Sequence, residues 1–273
     1  VTGVQWLSTR QKGLLADEMG LGKSVVSLTS LGENDKALIV CPAGLKYNWR
    51  AECLRWRPDL KVSIFDGKAE FRFPEVGEVV IASYASLPDW LDPNPPIGPK
   101  KKRPRMTWDA LKQWRSDLSQ KYVARGITLI SDEAHVLKNY KTIRSAKVRE
   151  LARLCRSQGG KIWGLTGTPL DNKAEDLYGI LDSLDMAFDV FTPRKGQSPF
   201  KRFQELFDAR KTRFGTEYGT PNPIVPELLR RMMLRRRRAE VLPDLPKKTY
   251  TNLIIGEMSQ KLKDQLDAIW EED

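Results

Sequence analysis

Short apolar runs recur along this chain, each too short for a helix and without strict alternation. Gly13-Leu14-Leu15-Ala16, Ala37 to Cys41, Val62 to Phe65, Val79 to Ser83, Ile127 to Ser131 and Lys161 to Leu165 fit strands buried on both faces. Helix-forming stretches separate several of them: Ser24 onward, Lys46 to Trp56, about Thr142 to Cys155, and about Ala174 to Leu184. Strands alternating with helices predict βαβ units, hence an α/β fold with a mostly parallel sheet covered by helices on both faces.

The rhythm breaks twice. Pro88 to Pro104 is proline-rich and carries Lys100-Lys101-Lys102-Arg103, which no sheet interior would accept. It reads as an exposed basic loop or a nuclear-localisation run, followed by a helix from about Trp108 to Tyr122. Beyond Met186 the alternation stops. Helices expected over Pro199 to Lys211 and Val225 to Met233 flank a Gly/Pro-rich loop and suggest a small helical protrusion. An apolar run, Tyr250 to Ile255, and a helix from about Ser259 close the chain. The expected division is therefore 1–185 for the main lobe, with the basic loop and helix inserted at about 88–124. The protrusion with its Arg-rich segment takes 186–247, and 248–273 a return strand and the start of a linker.

Composition narrows the function. The 273 residues are 40% hydrophobic and 30% charged, an ordinary globular balance. No run approaches the roughly 20 apolar residues of a membrane span, so no membrane partner is expected. Three scattered cysteines and a single histidine, His135, offer neither a disulfide framework nor a multi-histidine metal site. An intracellular setting follows: the nucleus in a eukaryote, the cytoplasm or nucleoid in a bacterium or virus. A formal charge of +11, concentrated at Lys100 to Arg105, Arg230-Arg231 and Arg235 to Arg238, favours a polyanionic partner, with a solvated face as the alternative.

The chemistry begins at Ala16-Asp17-Glu18-Met19-Gly20-Leu21-Gly22-Lys23-Ser24, between a strand and a helix. Glycines at 20 and 22 allow positive φ and let backbone N–H groups turn toward an anion, at a helix start that favours one. Lys23 would reach the β- and γ-phosphates of a nucleotide and the Ser24 hydroxyl would ligate Mg²⁺. The strict phosphate-loop pattern has a glycine where this chain has Asp17, and a Gly-rich turn before a helix can be only a turn. Two further strands end in matching chemistry, as nucleotide sites at the carboxyl rim of a parallel sheet require. Asp132 follows Ser131 and is placed to hold Mg²⁺ opposite Ser24; Glu133 can orient or deprotonate the attacking water. The alternative for such an acidic pair is a helix cap. Thr166 follows the Lys161 to Leu165 strand. His135 is either a core histidine or a relay between the nucleotide and Thr166.

Together these residues resemble superfamily-two helicase-like ATPases of the Swi/Snf type, over nearly the whole chain. Gly3 to Leu7 is similar to the family's opening segment and Ala16 to Ser24 to motif I, where Asp17 is usual. Cys41-Pro42 with Tyr47-Asn48-Trp49 resembles motif Ia and Ser83-Tyr84 motif Ib. Asp132-Glu133-Ala134-His135 through Asn139 resembles motif II, a DEAH box, and Leu165 to Asn172 motif III. Leu234 to Lys248 is similar to the segment preceding the linker to a second lobe. Ser24 stands for the commoner Thr and Asp171 for the usual Gln, and neither the upstream adenine-reading glutamine motif nor motifs IV to VI have a counterpart.

The resemblance implies the N-terminal, RecA-like P-loop lobe of a double-stranded DNA translocase using ATP and Mg²⁺. Nucleotide contacts would come from Asp17, Met19, Gly20, Leu21, Gly22, Lys23, Ser24 and Thr166. Lys46, Trp49, Ser83, Tyr84, Lys138 and Asn139 would follow the DNA backbone, with core packing the alternative for Trp49. Thr166 and His135 would couple the two sites. Double-stranded DNA or nucleoprotein and a second RecA-like lobe are the implied partners. Arginine fingers from that lobe are worth roughly 10³ to 10⁵ in rate, so this chain alone should bind Mg-nucleotide and barely hydrolyse it. A strand-separating or restriction-type motor subunit and a non-hydrolysing DNA-binding scaffold are the rival readings.

Overall fold

A computed structural model of the chain describes residues 2–67, 71–94, 106–170, 173–213 and 215–241. Nine strands are described: β1 Lys12–Leu15, β2 Lys36–Cys41, β3 Lys61–Ile64, β4 Glu78–Ser83, β5 Ile127–Ser131, β6 Lys161–Leu165, β7 Ala209–Thr212, β8 Gly215–Tyr218 and β9 Met233–Leu234. The principal helices are α1 Gly3–Ser8, α2 Lys23–Thr29, α3 Lys46–Trp56, α4 Trp108–Lys121, α5 Ile143–Ser157 and α6 Ala174–Ser183, then α7 Ala187–Val190, α8 Pro199–Leu206 and α9 Val225–Arg230. Seven strands form one all-parallel sheet in the order β3-β4-β2-β5-β6-β1-β9. The expected α/β fold is observed.

Both faces are covered, and the two-residue period of a strand sorts its side chains between them. Leu38 and Val40 of β2, Val80 and Ala82 of β4 and Leu129 of β5 enter a core with α5, α6 and the later helices. Ala37, Ile39 and Cys41, Val79 and Ile81, and Ile130 face the other way, against α1, α2 and α3. Every position of β4 and β5 is buried, so these strands read as continuous apolar runs. Glycine fits where elements touch most closely: a Cβ on Gly179 of α6 would lie 1.7 Å from the Lys138 carbonyl oxygen.

Beyond α6 the structure corrects the sequence reading. The helix expected over Pro199 to Lys211 stops at Leu206, Asp208 adopts a left-handed φ of 47°, and β7 and β8 form an antiparallel hairpin. Gly219 N–H closes this turn onto the Phe207 and Asp208 carbonyls. The protrusion is thus mixed rather than helical, and its Phe203 packs on Tyr178 of α6, Phe191, Phe207 and Tyr218. The helix expected to reach Met233 stops at Arg230; Met233 and Leu234 instead pair with Leu14 and Leu15. A strand edge left open at β1 satisfies its N–H groups by this return, Leu14 to Met232 O and Ala16 to Leu234 O, both 2.7 Å.

The described residues as far as Arg238 form one compact unit, and Ala239 begins a second. The basic loop at Lys100 to Arg105, Asp171 and Asn172 of motif III, and the return strand at Tyr250 to Ile255 lie outside the described residues. Among the described residues no helix is long and apolar enough to cross a membrane.

Candidate nucleotide site

β1 ends at Leu15 and the chain enters the loop that leads to α2. Gly20 and Gly22 take φ of 85° and 71°, values that exclude most side chains. Lys23 folds back over its own loop, its Nζ donating to the Asp17 carbonyl at 2.9 Å and the Glu18 carbonyl at 3.3 Å. The turn after β6 approaches from the side: a Cβ on Gly167 would lie 2.7 Å from Met19 Cγ and 3.6 Å from Lys23 Nζ.

From the next strand but one, β5 delivers Asp132, whose N–H donates to Val40 O at 2.8 Å. Glu133 then turns sharply at φ 47°, a left-handed conformation costing on the order of 1 kcal/mol in a residue with a side chain. The turn brings Glu133 and Asp132 to one cavity of about 460 Å³. Met19, Gly20, Gly22, Lys23, Ser24 and Val25 form its other wall, and Leu45, just before α3, with Asn48, Trp49 and Glu52 of α3 its flank. Lys23, Ser24, Asp132 and Glu133, far apart in sequence, thus line one space at the carboxyl rim.

The charges there are desolvated and incompletely matched. Burial lowers the Lys23 ammonium below its usual range, opposed by Glu133, Asp17 and Asp132. Burial raises the Asp132 carboxyl, although the Trp49 indole N–H donates to its Oδ2 at 2.8 Å. Asp132 is 9% exposed and its carbonyl accepts from the Tyr84 hydroxyl at 2.7 Å. The donor set fits magnesium rather than a protein-caged metal. The carboxylates of Asp132, Glu133 and Glu52 and one hydroxyl, that of Ser24, line the cavity, and no group of three His, Cys, Asp or Glu able to hold a metal exists among the described residues.

Several expected residues sit elsewhere. Trp49, 3% exposed, and Tyr84 are buried and end on Asp132, so neither lies on a DNA-facing surface. Their aromatic rings are large apolar bodies with one polar tip, and both tips found partners inside. Lys46 and Ser83 line a separate groove of about 510 Å³ with Asp66, Gly67, Ser86, Pro88 and Asp89. Asn139 is exposed, and its Oδ1 accepts from Lys141 N–H; Lys138 is half-buried at the end of motif II. Thr166 is fully buried behind the cavity, its N–H on Leu15 O at 3.1 Å and its Oγ1 accepting from Thr168 N–H at 3.2 Å. His135 Nδ1 lies 3.0 Å from Glu133 Oε2 without aligning as a hydrogen bond. Leu21 and Asp17 do not line the cavity. Asp17 is fully buried and its carboxylate is engaged by Arg236.

The sequence reading missed that last contact. Arg235 donates to Ala16 O at 2.9 Å and Gly167 O at 3.3 Å, and Arg238 donates to Met19 O. Part of the arginine run expected to meet a polyanion therefore holds the loop between β1 and α2. A signal was present: an aspartate where the loop pattern has glycine needs a counter-charge once buried.

The profile of the SNF2-related domain matches residues 1–264. The chain belongs to this family. Relatives include the yeast ISWI chromatin-remodeling complex ATPase ISW1 (Saccharomyces cerevisiae), 28% identical over 96% of this chain and 21% of the relative. Chromodomain-helicase-DNA-binding protein 1-like of Danio rerio is 30% identical over 90% and 22% respectively. An uncharacterized ATP-dependent helicase of Mycoplasma pneumoniae is 27% identical over 96% and 23%. The chain thus spans between 21% and 23% of these relatives' length. The Sulfolobus solfataricus SWI2/SNF2 ATPase core solved with dsDNA superposes with a TM-score of 0.59 at 20% identity, covering 89% of this chain and 45% of that one. That likeness establishes a shared fold, the RecA-like lobe expected from the motifs.

Proposed function

We propose that this SNF2-related chain is the N-terminal ATPase lobe of an ATP-dependent double-stranded DNA translocase or remodelling enzyme. The observation that carries the reading is the convergence of Lys23, Ser24, Asp132 and Glu133 on one cavity. Bound with the triphosphate, magnesium would neutralise charge on the β- and γ-oxygens, held on the protein side by Ser24 and Asp132. Lys23 leaves the Asp17 and Glu18 carbonyls and donates to phosphate. Glu133 orients the attacking water and takes its proton. Gly20 and Gly22 let the loop present N–H groups to the phosphates. His135, 3.0 Å from Glu133 Oε2, and Thr166, bonded to β1, link this chemistry to motifs II and III.

DNA is read through its backbone, as a motor indifferent to sequence requires. Lys46 and Ser83 in the groove of motifs Ia and Ib, with Lys138 and Asn139 at the end of motif II, form the track. Trp49 and Tyr84 connect that track to Asp132 from within. A second RecA-like lobe supplies the arginines that complete hydrolysis.

Duplex binding and turnover by this chain test the reading. The logarithm of affinity should fall with the logarithm of salt at a slope of about −0.9 per phosphate engaged, and turnover should remain slow even with DNA. A flat salt response would contradict the backbone track, and brisk DNA-stimulated hydrolysis by this chain alone would contradict the need for a second lobe.

A further inference from the structure

We propose that residues 234–238 are a clamp that sets the conformation of the phosphate loop, with Arg235, Arg236 and Arg238 as positioning residues for nucleotide binding. The proposal rests on the nucleotide reading of the neighbouring cavity and assigns the arginine run a role within that site.

The contacts form a continuous ladder. After Leu234 pairs with Leu15, the backbone pairing continues past the sheet: Ala16 N–H donates to Leu234 O at 2.7 Å and Glu18 N–H to Arg236 O at 3.0 Å. Side chains then alternate with this ladder. Arg235 Nη1 bridges Ala16 O and Gly167 O, tying the end of β1 to the turn after β6. Arg236 meets Asp17 from 219 residues away through its backbone N–H at 2.9 Å, its Nε and its Nη2. Arg238 N–H caps the Glu18 carboxylate at 2.7 Å while its guanidinium donates to Met19 O. A Cβ on Gly20 would lie 3.0 Å from that guanidinium. Every residue from Ala16 to Met19 is therefore held by this segment, by backbone, side chain or both.

These residues immediately precede Gly20, Gly22 and Lys23, whose N–H groups and ammonium would meet the phosphates. Lys23 itself rests on the carbonyls of Asp17 and Glu18, two of the clamped residues. Moving the arginine segment must move the carbonyls that park the lysine. The phosphate loop is in effect a two-segment structure, and the position of the chain at Arg238 is read at the nucleotide.

Four forms of the whole chain test this: parent, Arg236→Gln, Asp17→Asn, and the D17N/R236Q double variant, with Arg210→Gln in the hairpin as control. Amide hydrogen exchange is followed at residues 16–22 without nucleotide. Affinity is measured for Mg²⁺ with a fluorescent non-hydrolysable ATP analogue. The clamp predicts about tenfold faster exchange in Arg236→Gln and about tenfold weaker analogue binding. The double variant removes the stranded carboxylate, so it regains thermal stability but neither the loop protection nor the affinity. Full recovery of protection and affinity in the double variant would overturn the proposal, because Arg236 would then be only a counter-charge. Unchanged exchange in a folded Arg236→Gln would also overturn it. Should that variant not fold, Arg238→Gln, which leaves Asp17 paired, carries the same exchange prediction. If the parent fails to bind the analogue, the nucleotide reading falls while exchange still decides the clamp.

Discussion

The two rims of the sheet each hold a charged cavity of similar size, and they treat their charges in opposite ways. At the amino rim, a cavity of about 440 Å³ is lined by Lys12, Arg115, Glu150, Arg153, Arg156, Asp185 and Asp189 among others. There each charge has an opposite partner: Lys12 with Asp185 and Asp189, Arg115 with Glu150, Arg153 with Glu150 and Asp185, Arg156 with Asp185. Burial alone would raise the Asp185 carboxyl, yet Lys12, Arg153 and Arg156 hold it below its usual range. At the carboxyl rim Lys23 bonds backbone carbonyls and the Asp132 carboxylate bonds an indole, and burial raises the Asp132 carboxyl. One rim spends its charges on itself. The other leaves them without a bonded opposite charge, as the proposed nucleotide site requires and a brace does not.

Substitutions at the two rims should therefore separate binding from stability. Lys23→Ala should weaken Mg-ATP binding by about 100-fold, roughly 2.7 kcal/mol, with little change in unfolding midpoint. Calorimetry and thermal melts on the same samples check both halves, and a large loss of stability would erase the contrast. Asp185→Asn should do the reverse, costing about 2 kcal/mol because the half-buried Lys12 and Arg153 and the exposed Arg156 lose a shared partner and leaving nucleotide affinity unchanged. Its folded carboxyl titrates below the unfolded value of about 3.9, so the stabilisation is complete above that pH. It fades as pH falls through the folded value, and denaturant titrations of parent and variant should converge in acid.

Finer probes address how the carboxyl rim is held. Trp49→Phe keeps the ring and deletes the hydrogen bond to Asp132. It should lose about 1 kcal/mol of stability and weaken magnesium-dependent nucleotide binding by about tenfold, roughly 1.4 kcal/mol. Equal weakening with and without magnesium would disconnect Trp49 from the metal. Smallest of all, Asp132→Asn should stabilise the nucleotide-free chain at neutral pH by about 0.5 kcal/mol, since folding raises the carboxyl and disfavours its ionised form. A destabilised variant would place Asp132 with the braced charges.

Much of this was legible in the amino-acid sequence, because the decisive signals are local. Apolar runs ending in Gly20 to Ser24, in Asp132-Glu133 and in Thr166 announce strands and what stands at their carboxyl ends. What the sequence concealed is long-range. Met233-Leu234 becomes a strand only because β1 offers an open edge, and a helix reading of Val225 to Met233 cannot see that edge. Trp49 and Tyr84 carry aromatic groups that suit a surface or a core, and only the packing beneath motif II decides for the core. The arginine run looks like a surface for polyanions until Asp17 is found buried beside it. The hairpin at Ala209 to Tyr218 hides for another reason. Its strands are four residues each and largely exposed, with Tyr218 their only hydrophobic side chain packed on the core, so the segment is too short and too polar for an alternation to reveal it.

The central claim is that Lys23, Ser24, Asp132 and Glu133 make one magnesium-triphosphate site. The most direct measurement is a calorimetric titration of the chain with a non-hydrolysable ATP analogue, with and without Mg²⁺, in the parent and in Asp132→Asn. The account predicts saturable binding that requires Mg²⁺ and that loses its magnesium dependence in the variant. Binding that is indifferent to both Mg²⁺ and Asp132, or no binding at all, would contradict it.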